Sequence, residues 1–247
     1  NYGDMLVIGA TSEPLNLIPL LATDEASKAV TALVYNGLVK QDRMLNAVGD
    51  LAESWEISED GTSITFHLKE NIAWHDGVPF TAEDVIFTHT LAVSSGSPIP
   101  YDADELRKVT AISAPDAYTV LVEYEVVSAA AVASWSIPIL PKHLLETVSV
   151  TKSTLQKAPI GTGPYIFDNW IFGENITLHA NQDYFDKRSG IARIEFRFFP
   201  SQEEAYTALM AEEVDMLSVS AQEYDSYEGD YIKYRYAAPA FTYIGYN

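Results

Sequence analysis

Short stretches with the spacing of strands and of helices follow one another along this 247-residue chain in no regular order. Ser63–Leu68 alternates apolar and polar residues, which is typical of a strand with one buried face. Over residues 26–34, apolar side chains recur three and four positions apart, which predicts a helix that Thr23 or Asp24 caps and Gly37 ends. Strands and helices mixed without a repeated strand–helix unit predict an α+β or mixed α/β fold.

The same two periodicities predict further elements. The additional strands are Met5–Ala10, Trp55–Ile57, Tyr118–Tyr124, Tyr165–Trp170, Asn175–Ala180, Ile191–Phe199, Val214–Val219 and Phe241–Tyr246. The additional helices are Ala82–Val93, Ala129–Ala133 and one that follows Ser201. A hydroxyl followed three residues later by an acid is the sequence of a capping box, and it occurs at Thr81 with Asp84 and at Ser201 with Glu204.

The charge and the composition of the chain exclude several classes of partner. Fifteen Lys and Arg residues against 35 Asp and Glu residues give a net charge of −20, whereas phosphate backbones and anionic membrane surfaces require clustered cations. We therefore expect no binding to nucleic acid. The absence of cysteine excludes disulfides, zinc–thiolate sites and cysteine nucleophiles. No run of apolar residues approaches the roughly 20 that cross a bilayer.

Motifs of catalysis and of cofactor binding are incomplete. The segment Gly161-Thr162-Gly163 lacks the third glycine of a dinucleotide fingerprint, because Ile166 occupies that position, and no Gly-Lys-Ser/Thr follows. We interpret it as a tight turn between two parts of the molecule. His75-Asp76 offers two metal ligands, but a turn that Asp76 stabilises before Gly77 is the favoured interpretation. No Gly-x-Ser-x-Gly or His-Glu-x-x-His sequence occurs.

A carboxylate pair for glycoside hydrolysis is always available among 35 acids, but nothing in the sequence singles one out. Residues alone therefore predict a binding protein without catalytic residues, cofactor or metal. Fifteen tyrosines, each with an apolar face and a polar tip, suit a wet binding cleft.

Several segments, spread in order over essentially the whole chain, resemble family 5 of the extracellular solute-binding proteins. The most specific are Leu51–Gly61 (LAESWEISEDG), Ile64–Lys69 (ITFHLK), Trp74–Gly77 (WHDG) and Pro79–Val85 (PFTAEDV). Further matching segments are Glu13–Asn16, Tyr35–Leu38, Ile139–His143, Gly161–Tyr165, Asn181–Tyr184 and Ala208–Asp215. We expect the segment around Trp74–Gly77 to be structural rather than ligand-binding.

The resemblance implies the binding component of an ABC importer for oligopeptides, dipeptides or nickel. It implies export to the periplasm or the cell exterior, with a membrane anchor, in a bacterium or archaeon. It also implies a fold of the type II periplasmic-binding-protein kind, in which two lobes close around the ligand. Because the last predicted strand runs to Asn247, we expect this chain to stop before the second lobe.

The resemblance further implies a domain division and a ligand site. Residues 1–38 and 163–247 would form a discontinuous first-lobe core, and residues 39–162 an inserted small domain. The ligand would lie against a loop after the first strand and pair with its backbone. The matching positions are Ala22, Thr23, Asp24, Glu25 and Ala26. Tyr101 and Trp135 are aromatic candidates for the cleft wall, although Trp135 could equally belong to the core.

We therefore expect a monomer that captures a di- or oligopeptide and delivers it to a membrane permease without making or breaking a bond. Binding of another solute, such as a nickel chelate or an oligosaccharide, is the first alternative. A sensory module with the same fold is the second, and an acidic glycoside hydrolase is the third.

Overall fold

The computed structural model describes residues 4–94, 99, 103–219 and 232. Residues up to Leu217 form one compact unit, to which every element given below belongs, and residues from Ser218 onward form a second. The predicted strand at Phe241–Tyr246 and the candidate Tyr101 lie outside the described residues. No helix of the described segments is long and apolar enough to cross a membrane.

The described residues contain eleven strands and five helices, besides several short 3₁₀ turns. The strands are β1 (Leu6–Ala10), β2 (Val39–Gln41), β3 (Ala47–Gly49), β4 (Ala52–Ile57), β5 (Ser63–Leu68), β6 (Val109–Asp116), β7 (Thr119–Tyr124), β8 (Tyr165–Ile171), β9 (Asn175–Ala180), β10 (Arg193–Phe198) and β11 (Met216–Leu217). The helices are α1 (Glu25–Val34), α2 (Ala82–Val93), α3 (Ala131–Ser134), α4 (Lys142–Leu145) and α5 (Gln202–Met210).

A five-stranded mixed sheet has the order β11-β1-β10-β9-β8. Strand β1 runs parallel to both β10 and β11, while β8, β9 and β10 form antiparallel pairs. Every strand of this sheet comes from the segments 1–38 and 163–247. The carboxyl ends of β1 and β10 therefore lie side by side at one edge, where Ala10 pairs with Phe198.

A four-stranded antiparallel sheet, β4-β5-β7-β6, and the small hairpin β2-β3 come entirely from residues 39–162. The strands of the two larger sheets thus come from separate parts of the chain. A single hydrophobic cluster nevertheless includes Phe66 of β5 and Phe196 of β10. The division into a core domain and an inserted domain stays a prediction.

Large apolar side chains fill this core. Trp74, Trp135, Phe66 and Phe80 are almost completely buried, and each such side chain contributes about 2 kcal/mol of transfer free energy on burial. A second, small cluster around Val7, Ala208 and Val214 packs α5 against β1.

The predicted helix starts agree with the structure. Asp24 caps α1 by accepting a hydrogen bond from the Ser27 N–H, and Ser201 caps α5 by accepting one from the Glu204 N–H. At α2, the Thr81 N–H donates to Asp84 Oδ2 over 3.0 Å, which is the carboxylate half of the predicted capping box.

The predicted end of α1 at Gly37 is wrong, because the helix stops at Val34. There the Val34 carbonyl accepts a hydrogen bond from the Gly163 N–H (2.8 Å), and Tyr35 is already extended. Gly37 instead lets the backbone pass close to that of Ser136, since a Cβ atom at Gly37 would lie 2.7 Å from the carbonyl oxygen of Ser136.

Candidate functional site

The carboxyl ends of β1 and β10 define the candidate site, because open sheets with parallel strands bind ligands in the crevice outside this edge. The loop of residues 11–24 leaves β1 at this edge and leads into α1. The start of α5 follows β10 at the same edge. The positions Thr23, Asp24, Glu25 and Ala26, to which the resemblance assigned ligand binding, lie at the end of this loop and in the first turn of α1.

Buried apolar residues anchor the loop 11–24. Leu17, Ile18 and Leu20 are fully buried in the core. The Leu17 N–H donates to the Gln156 carbonyl over 3.0 Å, and Asn16 Nδ2 donates to Gln156 Oε1 over 3.1 Å. The loop therefore has a fixed path although it contains no long regular element.

Ser27 ties the loop to the start of α1. Its buried hydroxyl accepts hydrogen bonds from the N–H groups of Leu15 (3.0 Å) and Asn16 (3.1 Å), and it donates to Asp24 Oδ2 over 2.5 Å. Partial burial raises the pKa of Asp24, but hydrogen bonds from Ser27 and Leu15 outweigh it and hold this pKa below its usual value. The Asp24 carboxylate is thus a structural cap.

Thr23 is exposed and lies in an extended part of the backbone. Its neighbours Ala22 (φ −76°, ψ 98°) and Asp24 (φ −94°, ψ 156°) both have extended conformations. Across the described ranges 4–94 and 103–219, no hydrogen bond engages the N–H or the carbonyl of Thr23. A residue between two extended neighbours, with both of its backbone groups available, is placed to pair with an extended chain.

The two remaining positions of this segment differ in exposure. Glu25 is exposed and forms a surface ion pair with Lys28 (2.8 Å). Ala26 is half-buried at the first turn of α1. The ion pair of Glu25 and the burial of Ala26 belong to the first turn of α1, and neither indicates that these side chains bind a ligand.

Trp135 belongs to the core, which is the second of the two interpretations given for it. The indole is completely buried and lies 5.7 Å from the Phe66 ring and 5.8 Å from the His89 ring. Its Nε1–H donates to the Tyr124 hydroxyl over 3.0 Å, so its polar atom is also satisfied inside the protein. Trp135 does not face solvent at a cleft.

Two residues that position the site had no assigned role in the sequence. Glu13 accepts hydrogen bonds from Trp170 Nε1 (3.0 Å) and from the Gly173 N–H (2.9 Å), which joins the loop 11–24 to the β8–β9 hairpin. Ser27 is the other. Its spacing of three from the cap Asp24 was a usable signal, whereas the partners of Glu13 are distant in sequence and gave none.

The glycine-rich turn is structural, as interpreted from the sequence. Gly163 uses its N–H for the Val34 carbonyl, so this group is not available to a phosphate. His75 and Asp76 do not converge on one point, because His75 bonds to Gly161 and Gly163 while Asp76 Oδ2 lies 2.8 Å from His143 Nε2. Among the residues that the structure describes, no three His, Asp or Glu side chains are placed to hold a metal ion.

Comparison with known proteins gives the family. A family model described as "Bacterial extracellular solute-binding proteins, family 5 Middle" matches residues 46–247. The chain belongs to this family. Family 5 members are solute-binding proteins rather than enzymes, which agrees with the expectation of a binder.

Among the relatives of this family 5 chain is the oligopeptide-binding protein AppA of Bacillus subtilis (strain 168). It is 30% identical over 256 residues, which cover 99% of this chain and 46% of AppA. The chain spans about half the length of the curated relatives it matches.

Solved structures of the family share the fold. AppA from Bacillus subtilis in complex with a nonapeptide superimposes with a TM-score of 0.83 at 30% identity, over 92% of this chain and 46% of that one. NikZ from Campylobacter jejuni in complex with Ni(L-His) gives 0.83 at 28%, over 92% and 45%. AgaA from A. tumefaciens R10 in complex with agropinic acid gives 0.82 at 25%, over 90% and 45%. This family 5 chain is therefore mixed α/β, and it corresponds to one part of the periplasmic-binding-protein fold.

Proposed function

We propose that the protein containing this chain captures a small peptide outside the cell and delivers it to an ABC permease in the membrane. Membership of family 5 and the likeness to AppA, which was solved with a nonapeptide, support a peptide as the solute. The protein acts as a monomer in the periplasm or at the cell exterior. No bond is made or broken, and the work of the protein is selective binding.

The observation that carries this proposal is the backbone at Thr23, which lies between extended neighbours and whose N–H and carbonyl have no hydrogen-bond partner among the described residues. An N–H donor and a carbonyl acceptor on one residue bind the main chain of an extended peptide without reading its side chains. Burial of Leu17 and Leu20 and the hydrogen bonds of Ser27 fix the loop beforehand, so little conformational entropy is lost when the ligand binds. The second lobe of the family fold would close over this edge and exclude water.

A metal chelate is the second candidate solute. The likeness to NikZ, solved with Ni(L-His), is as high by TM-score as the likeness to AppA. A chelate that brings its own ligands would need only shape and polar contacts from this edge, so it fits a region where no three His, Asp or Glu side chains of the described residues converge.

Calorimetric titration of the full-length protein separates the two candidates. The probes are alanine peptides of two to five residues that end in phenylalanine, and the preformed Ni(L-His) complex. Saturable binding of one or more peptides, with dissociation constants in the micromolar range or below, supports peptide capture. Binding of Ni(L-His) without binding of any peptide overturns the peptide proposal in favour of the chelate.

A further inference from the structure

The tip of the β8–β9 hairpin carries an exposed aromatic ring with a cation above it. Trp170 and Phe172 stack with 4.6 Å between ring centroids and 28° between planes. Phe172 is 59% exposed although it is a large apolar residue. The Lys157 ammonium lies 4.8 Å from the centroid of the Phe172 ring, within the range of a cation–π contact.

This hairpin tip lies at the same sheet edge as the candidate site. Strand β9 begins at Asn175, which pairs with Arg197 near the carboxyl end of β10. Glu13 of the loop 11–24 holds the tip through Trp170 Nε1 and the Gly173 N–H. The exposed part of the tip therefore adjoins the loop that presents Thr23.

Lys157 is connected to the same loop from the other side. The preceding residue, Gln156, accepts hydrogen bonds from the Leu17 N–H and from Asn16 Nδ2. Residues 15–17 thus bond both to the turn that carries Lys157 and, through the Ser27 hydroxyl, to the start of α1.

The charge of Lys157 is not neutralised by the rest of the described structure. Among the residues that the structure describes, no carboxylate forms an ion pair with Lys157, and its ammonium lies over the Phe172 ring. Lys69 likewise lies over a ring, 4.9 Å from the Phe185 centroid, without an ion pair among the described residues, but it follows β5 of the four-stranded sheet, so the position of Lys157 beside the loop 11–24 distinguishes the two. In a chain with a net charge of −20, a cation fixed on a ring and without an acidic partner is suited to an external anion.

We propose that Lys157 and Phe172 form a subsite for the carboxyl-terminal residue of the captured peptide. The ammonium pairs with the terminal carboxylate, while the exposed edge of the ring packs against an apolar side chain of that residue. The inference rests on the proposed peptide function, because Thr23 would hold the main chain of the same ligand. It adds a carboxylate and an apolar side chain to what the ligand must present.

The test compares one peptide as free acid and as carboxyl-terminal amide, in the full-length protein and in its Lys157→Gln variant. The probe is the tightest-binding alanine peptide that ends in phenylalanine. Wild type should bind the acid about tenfold more tightly than the amide, which is the size expected for one charge-assisted hydrogen bond. Lys157→Gln should remove this preference by weakening the acid alone, and Phe172→Ala should weaken both forms.

Lys152→Gln is the matched control, because Lys152 is an exposed lysine on the preceding 3₁₀ turn, and it should keep the wild-type preference for the acid. Equal affinity of wild type for acid and amide overturns the subsite and leaves peptide capture standing. A loss of both forms in Lys157→Gln also overturns it, because a general structural defect would then explain the effect. Absence of binding by every peptide overturns peptide capture, and the subsite with it.

Discussion

His75 and Gly163 are joined by a hydrogen bond from His75 Nε2 to the Gly163 carbonyl, 3.0 Å long, which connects the turn before α2 to the glycine-rich turn. The other ring nitrogen, Nδ1, accepts a hydrogen bond from the Gly161 N–H over 3.3 Å. Because that N–H can only donate, Nδ1 carries no proton and Nε2 carries one. The neutral imidazole is therefore the form that this junction requires.

Burial is the main reason that the pKa of His75 is lowered from 6.5 to about 4, and the nearby His179 adds a smaller contribution in the same direction. Below pH 6.5 the unfolded chain binds a proton at this imidazole, whereas the folded chain binds it only near pH 4. The free energy of unfolding should therefore fall as the pH decreases through this window, by up to about 1.4 kcal/mol per pH unit for this group. Burial lowers the pKa of His89 as well, so both histidines contribute.

Urea unfolding of His75→Gln at several pH values measures the share of His75. A glutamine amide can donate to Gly163 and accept from Gly161 but does not titrate, so the slope of stability against pH should become shallower. An unchanged slope in His75→Gln would show that this account of the junction is wrong.

The Asp84 carboxylate accepts hydrogen bonds from three donors that lie in different segments of the chain. Its Oδ2 accepts from the Thr81 N–H (3.0 Å) and from Trp74 Nε1 (3.4 Å), and its Oδ1 accepts from the Lys142 N–H (3.0 Å). Asp84→Ala should lower the free energy of unfolding by about 3 kcal/mol or more, because it leaves these donors unsatisfied in a buried place.

The neighbouring acid, Glu83, provides the control for Asp84. It is exposed and contacts only the Lys142 ammonium over 2.9 Å in the described structure, so Glu83→Gln should cost less than about 1 kcal/mol. Chemical denaturation compares the two variants. Similar losses would indicate that the helix dipole, and not the buried hydrogen bonds, explains the effect.

Gly161 lies where no other residue fits. A Cβ atom there would lie 1.9 Å from the carbonyl oxygen of Val34, the last residue of α1. Gly161→Ala should therefore separate the glycine-rich turn from α1 and lower the free energy of unfolding by about 3 kcal/mol. Gly190→Ala should be nearly neutral, since nothing lies within 4 Å of its Cβ position. Equal melting temperatures for the two variants would contradict the close packing.

Sequence patterns were sufficient to predict the bounds of those elements that local signals define. The strand Ser63–Leu68 and the helix Ala82–Val93 have the predicted bounds, because strict alternation and a capping sequence are local signals. The end of α1 was mispredicted, because Gly163, which is remote in sequence, sets it by bonding to Val34. Sheet order likewise depends on pairings such as that of β1 with β10, which no local pattern encodes.

The candidate site was predictable only in part. Asp24 was recognisable as a helix cap, but no local pattern indicates that the N–H and the carbonyl of Thr23 lack hydrogen-bond partners among the described residues. Trp135 had two interpretations in the sequence, because an indole suits a core and a cleft equally well. Its hydrogen bond to the Tyr124 hydroxyl, formed inside the core, distinguishes them.

The proposed peptide site depends on the Thr23 backbone, which would bind the main chain of the ligand, and calorimetry on two variants of the full-length protein tests this role. Thr23→Pro removes the N–H donor, and the extended conformation of Ala22 (ψ 98°) accommodates a following proline. Thr23→Ala changes the side chain and keeps the N–H. We expect Thr23→Pro to weaken peptide binding about tenfold or more and Thr23→Ala to change it less than about threefold, at equal melting temperatures. Wild-type affinity in Thr23→Pro would show that the Thr23 N–H does not bind the peptide.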